Sequence, residues 1–175
     1  MSKIRASIVA VLVLVGLALS SISVSAHYLN YSTWDHSTVI YKDILNSYSY
    51  ELGLSAVAWD NAVGLLVSVA EESECSCDWD IQVGDAYYEG QSWWGKWSGT
   101  LWEELFVDLN EYNMSGGSTE KRRAVITHEF GHAVGGLGHH DESGRIMQSW
   151  VGDFYDTDGL YTLDSGTISE IDYLW

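Results

Sequence analysis

The hydrophobic pattern changes period several times along the chain, and each change marks an element. Ile8 to Leu19 is an apolar run broken only by Gly16. Thr38 to Tyr41 is a short β-branched and aromatic run, read as a strand. Leu45, Tyr48, Leu52, Ala56 and Trp59 recur at steps of three or four, which predicts a helix from about residue 44 to 60. Leu65 to Val69 reads as a strand that stops at the acidic stretch Glu71-Glu72-Ser73-Glu74. Trp79 to Val83 alternates apolar and polar, and Leu105, Val107 and Leu109 alternate cleanly within 105–112, so both segments read as strands. The stretch 87–100 is rich in Gly, Trp and Tyr and is expected to be an irregular loop or an edge strand. Gly116-Gly117 then breaks the chain, Ser118 can cap a helix, and Glu120 suits its first turn. That helix is expected to run to about Gly135, where glycines end it. Thr167-Ile-Ser-Glu170 has the form of a capping box for a short terminal helix. The order of elements predicts an α+β fold.

The first segment reads as an address. Lys3 and Arg5 precede the apolar run, and Val24-Ser25-Ala26 offers the small side chains that signal peptidase requires. The run is too short to cross ~30 Å of hydrocarbon comfortably. Residues 1–26 are therefore expected to be a cleaved signal peptide, and 27–175 a single secreted domain. A retained membrane anchor is the alternative.

Charge narrows the partners. Eight Lys and Arg stand against 25 Asp and Glu, a formal net charge of -17. Such a surface repels nucleic acid and anionic lipid, so neither is expected as a partner. Disorder is excluded by 46% apolar residues with 9 Trp and 11 Tyr. Acidity of this kind suits solubility in high salt, and it also offers carboxylates to calcium. Asp153, Asp156, Asp158 and Gly159 carry a fragment of calcium-loop chemistry without the first ligand or closing Glu of an EF-hand, so calcium is held open as a second cation. Cys75 and Cys77 are one residue apart and read as a local clip or free thiols.

The chemistry concentrates between His128 and Met147. His128-Glu129-Phe-Gly-His132 puts two imidazoles four residues apart on one helical face, close enough to share a metal. Neutral imidazole suits zinc, and three protein ligands leave a position open for water. Glu129, beside the first ligand, is placed to act as general base.

The run His-Glu-Phe-Gly-His-Ala-Val-Gly, followed by Gly-Leu-Gly-His139 and Gly-Arg-Ile-Met147, resembles the matrixin-type metzincin zinc proteases. The resemblance is convincing over about 105–175 and weaker over 38–90. It implies a twisted mixed sheet with two long helices, a short C-terminal helix, and Met147 in a methionine turn beneath the metal. It further implies zinc held by His128, His132 and His139, Glu129 as the base, and a peptide or protein substrate lying along a sheet edge between Gln91 and Trp97. Strict spacing would put the third ligand at Gly138, so one glycine, Gly135 or Gly136, is extra. His139 keeps Gly-Leu-Gly-His and the distance to Met147; His140 is the alternative. Gln148-Ser149 replaces the usual Tyr-Pro after the turn methionine, and the family's latency cysteine has no upstream counterpart.

The reading is a secreted, monomeric zinc endopeptidase. Two other classes stand beside it. One is a zinc-stabilised but catalytically inactive binding module. The other is a carbohydrate-binding protein using Trp93, Trp94, Trp97 and Trp102, with incidental histidines. Core and rim packing is the plainer account of those tryptophans, and Glu103-Glu104 reads as a charge pair beside a turn.

Overall fold

The computed structural model describes residues 38–63, 68–71, 79–99 and 105–174. Residues 1–26, expected to be a signal peptide, both cysteines, Trp102 and Glu103-Glu104 lie outside these residues. Among the described residues no helix is long and apolar enough to cross a membrane.

Among the described residues five strands form one sheet: β1 (Thr38–Asp43), β2 (Ser68–Glu71), β3 (Ile81–Ala86), β4 (Gly95–Ser98) and β5 (Leu105–Asn110), in the order β2-β1-β3-β5-β4. The β1–β2, β1–β3 and β3–β5 pairs are parallel, and β4 runs antiparallel to β5. The helices are α1 (Ser49–Val63), α2 (Glu111–Met114), α3 (Thr119–Ala133) and α4 (Ser165–Leu174), with a π-helical turn at Gly152–Thr157. Ile81 and Val83 of β3 and Leu105, Val107 and Leu109 of β5 are buried, while the residues between them are half-buried. One face of the sheet thus meets the core, and that explains why period-two alternation was visible in these parallel strands.

Several boundaries differ from the sequence expectation, each for a local reason. The first helix begins at Ser49 and not near 44, because the Asp43 carboxylate accepts from Leu45 N and Asp85 accepts from Asn46, which hold a turn instead. β2 overlaps the expected strand only at its end and continues to Glu71; residues 64–67 are outside the described set. β3 starts two residues later than expected and runs to Ala86. The strand expected over 105–112 stops at Asn110, whose side chain accepts from Tyr112 N and caps the single turn α2. The terminal helix begins at Ser165, two residues before the Thr167 capping box, because Asp164 is its cap: its Oδ1 accepts from Gly166 N and Thr167 N, each at 2.9 Å.

α3 is capped at Ser118, whose hydroxyl accepts from Lys121 N. From Ala124 to Ala133 every residue is buried. α1 supports this helix at three levels. Glu51 pairs with Arg122 at 2.7 Å. The Thr127 hydroxyl donates to Ser55 Oγ at 3.0 Å, and the Trp59 indole N–H donates to the Thr127 carbonyl at 3.0 Å. Trp59 is fully buried. Replacing it with alanine removes the indole volume and the hydrogen bond together, and urea unfolding of Trp59→Ala is expected to show a loss of roughly 3–5 kcal/mol.

Candidate metal centre

His128 and His132 project from one side of α3, four residues apart, and the chain returns His139 to face them. The three Nε2 atoms form a near-equilateral triangle with sides of 3.2, 3.1 and 3.1 Å. Backbone carbonyls hold two of the rings from behind. His128 Nδ1–H donates to the Ile146 carbonyl at 2.8 Å, and His132 Nδ1–H donates to the Leu137 carbonyl at 2.6 Å. A carbonyl can only accept, so both Nδ1 atoms carry the proton and both Nε2 atoms present lone pairs. Lone pairs facing one another at 3.1 Å repel unless a cation lies between them. A tetrahedral zinc with Zn–N bonds of about 2.0 Å would hold its nitrogens roughly 3.3 Å apart, so the donor set fits such an ion. Among the described residues these three histidines are the one group whose ligand atoms all lie within 4.8 Å of one another.

The rings are held neutral, as ligation requires. Burial, with the neighbouring His132, pushes His128 well below its usual value, and burial pushes His132 down to about 4. His139 is more exposed; the burial it has and the adjacent His140 lower it too. Phe154 of the π-helical turn stacks on the His128 ring at 5.1 Å and 11°.

The extra glycine is absorbed where α3 ends. Gly136 takes φ +61°, a left-handed value that a side chain disfavours. Leu137 N donates to the Gly131 carbonyl across six residues, one more than in the usual Schellman closure. His139 thereby joins the cluster and His140 does not: the His140 Nε2–H donates to Glu170 Oε2 at 2.8 Å.

Met147 is fully buried beside α3, where a Cβ on Gly131 would collide with its Sδ and Cε atoms. The glycine between Glu129 and His132 is thus what lets the helix settle on the methionine. Glu129 is buried beside the triangle, and burial pushes its carboxyl up to about 8. It lines a pocket of about 160 Å³ with Trp93, Trp94, Gly95, Val125, Trp150 and Phe154 among its walls. Gly95 on β4 is the close neighbour: a Cβ there would lie 2.7 Å from Glu129 Cγ and 2.9 Å from Oε1.

The acids held open for calcium form no metal-ligating group among the described residues. Asp156 pairs with Lys121 at 2.6 Å and Asp158 accepts from Gly144 N at 2.7 Å, so each carboxylate is turned to a different partner. The aromatic residues divide similarly. Trp93 and Trp94 line the pocket and Trp97 leans on His132 with ring centres 5.7 Å apart. Sequence reasoning passed over Gly95, Phe154, Asp164 and Glu170 as site-supporting residues. Only Asp164 carried a usable signal, as an Asp three residues ahead of Thr167 at a helix start.

No protein-family model and no curated protein matches the sequence. Solved structures do match in fold. A chain of a GM1-bound AB5 holotoxin superposes with a TM-score of 0.60 at 12% identity, covering 82% of this chain and 83% of that one. Archaemetzincin from Methanopyrus kandleri superposes with a TM-score of 0.52 at 13% identity, covering 79% of this chain and 95% of that one. The chain shares its fold with these two structures.

The buried acid and the buried imidazoles give the metal-free protein opposed pH dependences. Glu129 has a raised folded-state value, so its contribution to stability is present below 4.5 and lost as pH rises through about 8. His132 has a lowered value, so its contribution is present above 6.5 and lost as pH falls through about 4. Glu129→Gln removes only the first. Its metal-free melting temperature is expected to exceed the parent's at about pH 9 and to match it near pH 4.5; equal curves throughout would contradict the burial of this carboxyl.

Proposed function

We propose that the chain is a secreted, monomeric zinc endopeptidase of matrixin type acting on peptides or proteins. What carries this reading is the triangle of imidazole lone pairs with a buried carboxyl beside it at the wall of a pocket. The archaemetzincin-like fold adds support.

His128, His132 and His139 would hold zinc through Nε2. A bound zinc ion supplies Lewis acidity toward the scissile carbonyl and toward water, and its charge favours the carboxylate form of Glu129. Glu129 accepts the proton of the attacking water on its carboxylate. It then returns that proton to the amide nitrogen as the C–N bond breaks, so the products are a carboxylic acid and an amine. β4 ends the strand order of the sheet among the described residues, and an extended peptide would add beside Gly95–Ser98 in strand-addition mode. Met147, packed against Gly131, sets the depth at which α3 and its two histidines rest.

The test is hydrolysis of a broad fluorogenic peptide mixture by purified residues 27–175, at low and high salt, beside Glu129→Ala. The parent is expected to cleave and to lose zinc and activity together on chelation. Glu129→Ala is expected to lose on the order of 10²–10⁴-fold in rate with zinc retained. A folded, zinc-loaded parent that cleaves nothing would sink the peptidase reading and leave a zinc-stabilised binding module. Equal cleavage by both proteins would rule out Glu129 as the base.

Gly95→Ala tests the room that the edge strand leaves for that base. A Cβ at Gly95 drives into Glu129, so kcat is expected to fall on the order of 10²-fold with zinc content unchanged. A kcat within threefold of the parent, in steady-state assays, would show that Glu129 is not held by this contact.

A further inference from the structure

Helix α4 meets the ligand-bearing segments twice. Asp164, its N-cap, spends Oδ1 on Gly166 N and Thr167 N at 2.9 Å. Its Oδ2 accepts from the Thr167 hydroxyl at 2.7 Å and, outside the helix, from Ile146 N at 2.9 Å. Ile146 is the residue whose carbonyl holds His128 Nδ1 at 2.8 Å. Farther along the helix, Glu170 accepts from His140 Nε2 at 2.8 Å. His140 follows the third ligand directly, and its own N–H donates to the Met147 carbonyl at 2.9 Å. Arg145 lies between the two acids, 3.5 Å from Asp164 and 3.8 Å from Glu170.

We propose that Asp164 and Glu170 are positioning residues for the metal centre, with α4 fixing His128 through Ile146 and His139 through His140. The proposal rests on the metal-binding half of the reading above and is indifferent to whether peptides are cleaved. Its physical basis is the backbone of Ile146, whose N–H and carbonyl lie in the two successive peptide planes that meet at its Cα. A charge-assisted bond to its N–H and an imidazole N–H on the carbonyl of the residue together fix the direction from which His128 is gripped. Capping alone does not need this chemistry. A serine would satisfy the helix N-terminus, but only a side chain with two acceptor oxygens can cap α4 and reach Ile146 as well. Linkage adds a reciprocal consequence: if α4 strengthens zinc binding, zinc must stabilise the start of α4 by the same free energy.

Three variants of residues 27–175 separate these effects: Asp164→Ser, Glu170→Ala, and both together. Zinc affinity is measured by competition with a chromophoric chelator, ligand geometry by the visible spectrum of the cobalt-loaded protein, and α4 by hydrogen exchange at 166–171 with and without zinc. Each single change is expected to weaken zinc binding about 10- to 100-fold and to shift the cobalt bands. Zinc should slow exchange at 166–171 in the parent and not in the double variant. Glu120→Gln, an exposed acid in the first turn of α3, should bind zinc as the parent does. Should Asp164→Ser fail to fold, Glu170→Ala decides alone. Unchanged zinc affinity and cobalt spectra in folded variants overturn the proposal while leaving the metal centre standing. A parent that takes up no stoichiometric zinc overturns both.

Discussion

The stretch 124–133 of α3, buried throughout and yet carrying two histidines, a glutamate and a threonine, is the constraint on which the rest of the fold turns. Polar groups in that position are tolerated only where each finds a partner. Thr127 is met from α1 by Ser55 and Trp59. His128 and His132 are met by carbonyls from segments that follow α3 in the chain, which obliges the polypeptide to fold back over its own helix. The long path from Leu137 to Asp164 therefore supplies the partners that let these two imidazoles be buried.

The sequence was most legible where one interaction dominates. The three-to-four spacing of Leu52, Ala56 and Trp59 and the alternation through Leu105, Val107 and Leu109 both reflect burial against a single face, and both elements formed there. His128 and His132 were readable because helical geometry alone brings them together. Boundaries set by one side chain competing for the backbone were not readable: Asp43, Asn110 and Asp164 each ended or began an element through bonds that periodicity does not encode. The partners of the site were equally silent. Gly95 and Glu129 are 34 residues apart, and only the packing of β4 on α3 makes one the neighbour of the other.

Charge is distributed unevenly between function and framework. The six cationic side chains beyond residue 26 are all engaged internally. Lys121 and Arg122 pair with Asp156 and Glu51, Arg145 joins Asp164 and Glu170, and Lys96 meets Asp108. Lys42 and Arg123 lie over the rings of Trp79 and Tyr161. The 25 acidic side chains far outnumber these cations, and added salt would screen their mutual repulsion. The basic groups act as internal fasteners, several of them around the two ends of α3 and the start of α4.

The turn at Gly135-Gly136 has a bearing on how such centres change over time. Because a metal held by these histidines would see only three nitrogen positions, an inserted residue would be invisible to it as long as the loop can bulge. Gly136 at φ +61° and the six-residue closure from Leu137 to Gly131 supply that bulge. Ligand spacing is in this sense a property of the connecting turn and not of the ion. A fixed count of residues between histidines would overlook a chain whose three imidazole nitrogens still meet.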